Sequence, residues 1–163
     1  MFKVNLNIIL VNFTIVLSIF LTDRFSKVFI LKMAELESKV DIFVTSNLNI
    51  YLIWNKGIAF GLLSFNTSFI YNIITLIIIM LTLVVLAWTI KAKGLKRYSF
   101  LFVLGGSLGN LFDRIYYNAV PDFIDFHIND FHWFVFNVAD IFITLGIICL
   151  VFQEIFFDNE KNV

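Results

Sequence analysis

Residues 57–90 read GIAFGLLSFNTSFIYNIITLIIIMLTLVVLAWTI and contain no charged side chain. A helix needs about 20 predominantly apolar residues to cross a hydrocarbon core of roughly 30 Å. Residues 4–22 form a second stretch without charge, and the whole chain is 60% hydrophobic and only 15% charged. Soluble domains carry about 25% charged residues. The sequence therefore predicts an integral membrane protein and excludes a disordered or disulfide-rich secreted chain.

The apolar segments predict an all-α membrane protein with four transmembrane helices, folded as one domain over residues 1–163. The helices are expected at about residues 4–22, 68–90, 98–116 and 134–157. Over residues 47–54, Leu48, Ile50 and Leu52 alternate with more polar residues, which is the period of a half-buried strand. The mixed-charge residues 28–46 are expected to form an interfacial segment. Together these two segments predict a small extramembrane β-cradle between helices 1 and 2.

The loop between helices 2 and 3 indicates the orientation in the membrane. It carries four basic residues and no acidic one: Lys91, Lys93, Lys96 and Arg97. The positive-inside rule places such a loop in the cytoplasm. We therefore expect a multi-pass protein with both termini in the cytoplasm and with residues 23–67 and 113–133 at the outer face. The net charge of zero gives no indication of a nucleic-acid partner.

Helices 3 and 4 are too short to cross the membrane without carrying charges. Only about 22 Å of helix separates Arg97 from Asp113, and about 20 Å separates Asp140 from Glu154. Ionisable residues at membrane depth are functional-site candidates, although polar residues also join helices structurally. Polar residues at helical spacing are expected to meet at one membrane surface, joined by two residues from loops. They are Asp23 and Lys27, then Asn110, Asp113 and Arg114, then Asn137 and Asp140, with Asn55 and Asp122 from the loops.

The missing motifs limit the chemistry of such a site. The sequence has no H-E-x-x-H motif, which argues against a zinc protease. Residues 105–109 read GGSLG, but they fall inside a predicted helix rather than on the strand-to-helix turn of a serine hydrolase elbow. His127 and His132 are five residues apart, whereas helical ligand pairs lie at i, i+4, so we expect no metal site. Carboxylate chemistry remains, with two aspartates of which one is protonated and one ionised.

Three aspartates are candidates for that pair: Asp122, Asp125 and Asp140. Asp113 is a poorer candidate, because the adjacent Arg114 is expected to neutralise it. The glycines at 105, 106 and 109 would let another helix, or an extended substrate, approach helix 3 closely.

Five sequence motifs resemble those of the lipoprotein signal peptidases (signal peptidase II), the intramembrane aspartyl proteases of bacteria. They stand in the family's order: Asp23-x-x-x-Lys27, NKGIAFG at 55–61, GGSLGNLFDR at 105–114, VPDFIDF at 120–126 and FNVADIFI at 136–143. Two residues depart from the family pattern. Arg24 stands where glutamine is usual, which is expected to matter little, and Pro121 stands where an aliphatic residue is usual.

The resemblance implies an aspartic endopeptidase with Asp122 and Asp140 as its catalytic dyad. It also implies six supporting pocket residues: Asn55, Asn110, Arg114, Asn137, Asp23 and Lys27. The implied reaction removes the signal peptide from diacylglyceryl-modified prolipoproteins by cutting before the lipidated cysteine. The implied location is the bacterial inner membrane, among membrane lipids, with the active site near the outer face. We expect a monomer that uses neither a cofactor nor a metal.

Two other classes of protein compete with this interpretation. A proton-coupled transporter or channel subunit also carries intramembrane aspartates and arginine, but its polar residues would be spread through the membrane depth. Here the polar residues concentrate at one end of helices 1, 3 and 4, and helix 2 has almost none. A non-catalytic scaffold would have no use for the paired aspartates and asparagines. The sequence therefore favours the peptidase.

Overall fold

The computed structural model describes residues 6–37, 40–57 and 68–157. Its four helices are α1 (Leu6–Glu37), α2 (Ser68–Lys91), α3 (Gly94–Tyr117) and α4 (Val138–Phe157). Its four strands are β1 (Asp41–Thr45), β2 (Leu48–Asn55), β3 (Val120–Ile128) and β4 (Phe131–His132). The predicted start of helix 1 at residue 4 and residues 58–61 of the second motif lie outside the described residues. The described fold is mostly helical with a small antiparallel sheet.

Among the described residues, three helices are long and apolar enough to cross a membrane: Leu6–Glu37, Phe69–Lys91 and Val138–Phe156. Their large apolar side chains point outward, and Leu76, Met80 and Ile148 are each more than half exposed. Such continuous apolar surfaces are typical of contact with lipid rather than water. The protein is therefore a membrane protein.

Helix α3 is the most enclosed of the four helices, because it packs against α1, α2 and α4. It carries Lys96 and Arg97 near one end and Asp113 and Arg114 near the other, so its apolar stretch is shorter. It is as long as α2, but it is not among the helices that are apolar enough to be candidate spans. The predicted total of four spans stays a prediction.

Glycines on α3 allow the close helix packing around it. A Cβ added at Gly105 would lie 2.8 Å from the Ile19 side chain of α1, and one at Gly106 would lie 2.5 Å from the Ala139 carbonyl oxygen of α4. Both distances are shorter than real Cβ atoms tolerate. These glycines were expected to allow the close approach of either another helix or an extended substrate. The described contacts show the close approach of helices.

Helix α1 is longer than predicted, because it continues unbroken from the membrane segment to Glu37. The prediction placed the membrane segment at about residues 4–22, with Asp23 and Lys27 at the outer end of the helix, and treated residues 28–46 as an interfacial segment. These charges stay inside the helix because Asp23 and Lys27 pair with each other and Lys27 also pairs with Asp113 of α3. Residues 28–37 are also rich in good helix formers, including leucine, methionine and glutamate.

The sheet combines two segments that are far apart in the sequence. Its strand order is β1-β2-β3-β4, and all neighbouring strands are antiparallel. The predicted strand at residues 47–54 is confirmed as β2, but the cradle is not confined to the connection between helices 1 and 2. Strands β3 and β4 come from the connection between α3 and α4, where the prediction had only a loop. The described parts of residues 23–57 and 113–133 therefore share one end of the molecule.

Helix α4 begins at Val138 rather than near the predicted residue 134. The preceding residues join the sheet instead, since the Phe136 backbone N–H donates to the Ile124 carbonyl at 3.0 Å and the Phe136 carbonyl accepts from the Ile124 N–H at 2.8 Å. Hydropathy does not distinguish an apolar strand from an apolar helix start.

Candidate active site

Asp122 lies on β3 at the centre of the sheet and is 2% exposed. Its register partner on β2 is Ile53, and Asn55 lies two residues further along that strand. The side-chain amide of Asn55 donates to Asp122 Oδ2 at 2.8 Å. Asn55 and Asp122, which were predicted to arrive from loops, are therefore held on paired strands.

Asp140 lies in the first turn of α4, and Asn137 precedes that helix. The Asp140 N–H donates to Asn137 Oδ1 at 3.1 Å, and the Asn137 N–H donates to Asp140 Oδ2 at 3.1 Å. This reciprocal pair is a capping box, which satisfies two backbone donors at the helix start. The side-chain amide of Asn137 is still free to donate to Asp122 Oδ1, at 2.6 Å. Asn137 thus connects the two predicted catalytic aspartates.

The environment of Asp122 favours its protonated form. Burial, and next the negative charge of Asp140, raise the pKa of Asp122 from 3.8 to about 7. The hydrogen bonds from Asn55 and Asn137 act in the opposite direction and lower this pKa. A buried carboxyl beside a second carboxyl therefore retains a proton near neutral pH, as expected for two like charges at close range.

Behind Asp140 lies a buried charge cluster centred on Lys27, whose side chain is fully enclosed. Its Nζ donates to Asp23 Oδ2 at 2.9 Å, to Asp113 Oδ2 at 2.7 Å and to Asn110 Oδ1 at 2.8 Å. The Asn110 amide then donates to Asp140 Oδ1 at 2.8 Å. Asn110 therefore links the charge cluster to one predicted catalytic aspartate.

Asp23 is held in turn by the beginning of α4, because the Ala139 N–H donates to Asp23 Oδ1 at 3.0 Å. This contact satisfies a backbone donor of the first turn of α4, which has no partner within the helix. Gly109 on α3 leaves room for it, since a Cβ at that position would lie 2.6 Å from Asp23 Oδ2.

The expected pairing of Asp113 with the adjacent Arg114 is wrong. Asp113 contacts Arg24 at 2.6 Å as well as Lys27, because its side chain faces α1 rather than its own neighbour. Arg24, which was expected to matter little, therefore belongs to the charge cluster, and its guanidinium also lies 5.0 Å from the centre of the Phe112 ring. Its position next to Asp23 was the only sequence signal for this role.

Arg114 instead fixes the segment that follows β2. Its guanidinium donates to the Gly57 carbonyl, and the Gly57 N–H donates to Asn55 Oδ1 at 2.8 Å. Tyr71 of α2, which the sequence did not single out, donates from its hydroxyl to the Arg114 carbonyl at 2.9 Å. Arg114 therefore connects α3 to the strand end that carries Asn55.

The structure brings together all eight predicted site residues, whereas Asp125 lies in a second cluster. The Asp125 carboxylate is 2.9 Å from Nδ1 of His132 and 3.6 Å from Nδ1 of His127. The sequence argument against a metal assumed helical spacing, but His127 and His132 are direct partners on β3 and β4. The asparagine and aspartate at 129 and 130, between Ile128 and Phe131, were the signal for this hairpin.

Two apolar grooves reach Asp140 from different sides. One has a volume of about 520 Å³, lies between α2, α3 and α4, and is also lined by Asn110 and Arg114. The other has a volume of about 280 Å³ and is lined by Trp133 and Phe136 together with residues of α4. Both combine mostly apolar walls with the carboxylate of Asp140, so an apolar chain can lie beside a polar group there.

Comparison with known proteins identifies the family. A model of the family described as signal peptidase (SPase) II matches residues 15–156. The chain is 52% identical over 160 residues to the lipoprotein signal peptidase of Pelagibacter ubique (strain HTCC1062), covering 98% of this chain and 96% of that protein. The chain belongs to the signal peptidase II family. The resemblance found in the motifs is thereby confirmed, and family membership implies a peptidase.

More distant relatives agree with this assignment. The lipoprotein signal peptidase of Anaplasma phagocytophilum (strain HZ) is 39% identical over 142 residues, covering 86% of this chain and 88% of that protein. Two solved structures described as bacterial membrane enzymes each superpose with a TM-score of 0.73. The first is 25% identical in sequence and covers 89% of this chain and 87% of the solved chain. The second is 26% identical and covers 91% of this chain and 94% of the solved chain. The fold is therefore similar along most of the chain.

Proposed function

We propose that this protein is an intramembrane aspartyl endopeptidase that removes the signal peptide from diacylglyceryl-modified prolipoproteins, cutting before the lipidated cysteine. The observation that carries the proposal is the bridging of two buried aspartates, Asp122 and Asp140, by Asn137. The name shared by the curated relatives, lipoprotein signal peptidase, supports the substrate class.

The proposed mechanism divides the work between the two carboxyl groups. The ionised carboxylate takes a proton from a water molecule, whose oxygen attacks the carbonyl carbon of the scissile peptide bond. The protonated carboxyl donates to the carbonyl oxygen as negative charge develops there. A proton is then delivered to the amide nitrogen, the C–N bond breaks, and a carboxylic acid and an amine leave. The raised pKa of Asp122 keeps one proton on the pair near neutral pH.

The surrounding residues hold this pair without adding a further charge to it. The amides of Asn55, Asn110 and Asn137 donate to the carboxylates, which orients them before substrate binds. The buried charge cluster fixes Asn110, while Arg114 fixes the segment next to Asn55. Preorganised donors of this kind cost no rearrangement during the reaction.

The decisive test is cleavage of a lipidated prolipoprotein by the purified protein. We expect loss of the signal peptide with the wild-type protein, and no cleavage with Asp122→Asn or with Asp140→Asn, since an amide cannot exchange the proton. Asp125→Asn should be milder. Asp130→Asn changes an exposed acidic residue in the hairpin turn and serves as the matched control. Activity in Asp122→Asn, with none in Asp125→Asn, would contradict the assignment of the dyad.

We further propose four membrane-spanning helices in the inner membrane, with cytoplasmic termini, and a monomeric enzyme with its active site near the outer face. A protein with Cys149→Ala and a single new cysteine tests this topology. Lys93→Cys lies in the basic loop and should react with an impermeant maleimide only after the membrane is opened. Asp130→Cys lies in the hairpin and should react in intact spheroplasts. The reverse pattern would overturn the orientation.

A further inference from the structure

The β3–β4 hairpin places two imidazoles side by side, away from the hydrogen-bonded aspartate pair. His127 and His132 are direct cross-strand partners, and a tight turn at residues 129–130 joins their strands. Their ring centres are 4.8 Å apart, and the ring planes are inclined by 21°. Facing positions on neighbouring strands lie close enough for their side chains to act together.

A buried carboxylate lies next to both imidazoles. Asp125 precedes His127 by two residues, so both side chains lie on the same face of β3. Asp125 is 1% exposed, and its Oδ2 lies 2.9 Å from Nδ1 of His132 and 3.6 Å from Nδ1 of His127. One atom from each of the three side chains lies within 4.8 Å of the other two.

An ordinary hydrogen-bonded pair accounts for only part of this arrangement. Nδ1 of His132 lies within hydrogen-bonding distance of both Asp125 carboxylate oxygens, at 3.1 Å and 2.9 Å. The His127 side chain is only 11% exposed, and its Nδ1 is buried. This nitrogen makes no hydrogen bond to any of the described residues. Buried polar atoms normally have a partner, so this second nitrogen, directed at the same carboxylate, requires an explanation.

A metal ion bound by all three side chains supplies that partner. We propose that Asp125, His127 and His132 form a binding site for a divalent transition-metal ion such as Zn²⁺. Two imidazoles and one carboxylate are a common ligand set for zinc, which leaves a fourth position for water. Tetrahedral bonds of about 2.0 Å place neighbouring ligand atoms roughly 3.3 Å apart, and the two nitrogen–oxygen distances lie on either side of this value.

The position of the site suggests what the metal does. His132 is about half exposed, which gives an ion access from solvent, whereas Asp125 lies inside. An ion with ligands on both strands would hold β4 against β3. Its ligand Asp125 lies three residues after Asp122 in the sequence. The metal therefore stabilises the hairpin next to the active site and takes no part in proton transfer.

Titration with the metal alone tests this proposal. The full-length protein, carrying an affinity tag without histidines and stripped with a chelator, is titrated with Zn²⁺ in detergent by calorimetry. We expect one ion per chain and a rise in the thermal midpoint, because a ligand that binds only the folded state stabilises it. Bound Co²⁺ should show the visible absorption of a tetrahedral ion.

Single substitutions assign the ligands. His127→Gln, His132→Gln and Asp125→Asn should each weaken Zn²⁺ binding at least about tenfold. Asp130→Asn, which changes the exposed acid in the turn, should leave it unchanged. His132→Gln alters a half-exposed side chain and keeps the fold, so its result is interpretable even where Asp125→Asn destabilises the protein. The absence of saturable binding to the wild-type protein, or binding that His132→Gln does not weaken, would overturn the proposal.

Discussion

The side-chain amide of Asn137 lies 2.6 Å from the carboxylate of Asp122 and donates a hydrogen bond to it. The same residue caps α4 by accepting from the Asp140 N–H, so one asparagine ties the sheet to the helix. The separation of the two aspartates therefore depends on a residue that has no titratable group. Asn137 is completely buried, which leaves it little freedom to adopt another conformation.

Asn137→Ala should lower kcat about 100-fold, since small displacements of catalytic groups have effects of that size. The variant keeps both aspartates but removes the amide donor to Asp122 and the cap acceptor for Asp140. Single-turnover cleavage of a lipidated prolipoprotein measures the change. Asn72→Ala, on the exposed face of α2, is the control. Cleavage by Asn137→Ala within a few-fold of wild type would show that the bridge is not needed.

The dependence of activity on pH should report the unusual pKa of Asp122. The proposed reaction requires one proton on the aspartate pair, and Asp122 has a pKa of about 7, so kcat/KM should fall as the pH rises through about 7. Asn55→Ala removes a hydrogen bond that favours the ionised carboxylate, and the pKa therefore rises. The descending limb of the profile should move to higher pH.

This shift is measured as kcat/KM against pH for the wild type, Asn55→Ala and the control Asn72→Ala. The limb belongs to the coupled pair rather than to one residue, so the shift rather than the absolute value is the informative quantity. A limb that stays in place, or moves to lower pH, in Asn55→Ala would contradict the proposed role of Asn55.

The sequence predicted the members of the site better than their contacts. Helical spacing placed Asn110 with Asp113, and Asn137 with Asp140, because neighbours on one helix face follow from the chain alone. The partner of Asp113 did not follow, because it lies on α1, more than 80 residues earlier in the chain. The link from Lys27 through Asn110 to Asp140 also needs the close packing of three helices.

Helix boundaries failed where tertiary contacts decide them. Residues 28–37 were predicted as part of an interfacial segment, but Asp23 and Lys27 are neutralised within the bundle and α1 continues to Glu37. The start of α4 was predicted from hydropathy, but Phe136 pairs with β3 instead. The hairpin that joins the two histidines was missed because the spacing of metal ligands was considered only for a helix.

The buried charge cluster should contribute strongly to stability through Lys27. Removing one partner of a buried ion pair leaves an uncompensated charge and costs about 3–5 kcal/mol. In Lys27→Met, Arg24 still contacts both Asp23 and Asp113, so we expect a loss of about 3 kcal/mol in the free energy of unfolding. Denaturant titration in detergent measures this change.

Lys96→Met is the matched control for Lys27→Met. Lys96 forms an ion pair with Glu154 at 3.0 Å, but both side chains are substantially exposed, and exposed pairs contribute little. Its free energy of unfolding should change by less than about 1 kcal/mol. Equal losses in the free energy of unfolding of the two variants would show that the buried cluster around Lys27 stabilises the fold no more than an exposed ion pair does.

The last prediction concerns the lipid on the substrate. The two apolar grooves meet at Asp140, so acyl chains and the signal peptide can both remain in apolar surroundings while the scissile bond reaches the aspartates. Each acyl CH₂ kept in lipid contributes about 0.8 kcal/mol, and two chains therefore hold the cysteine at membrane depth much more firmly than the peptide alone. A prolipoprotein with an unmodified cysteine should be cut at least about 100-fold more slowly, since the reacting groups lose this positioning. The comparison uses one precursor with and without the diacylglyceryl group, at equal concentration in the same vesicles. Equal cleavage rates would show that the enzyme reads the peptide sequence alone, and the lipid-anchored mechanism would then be wrong.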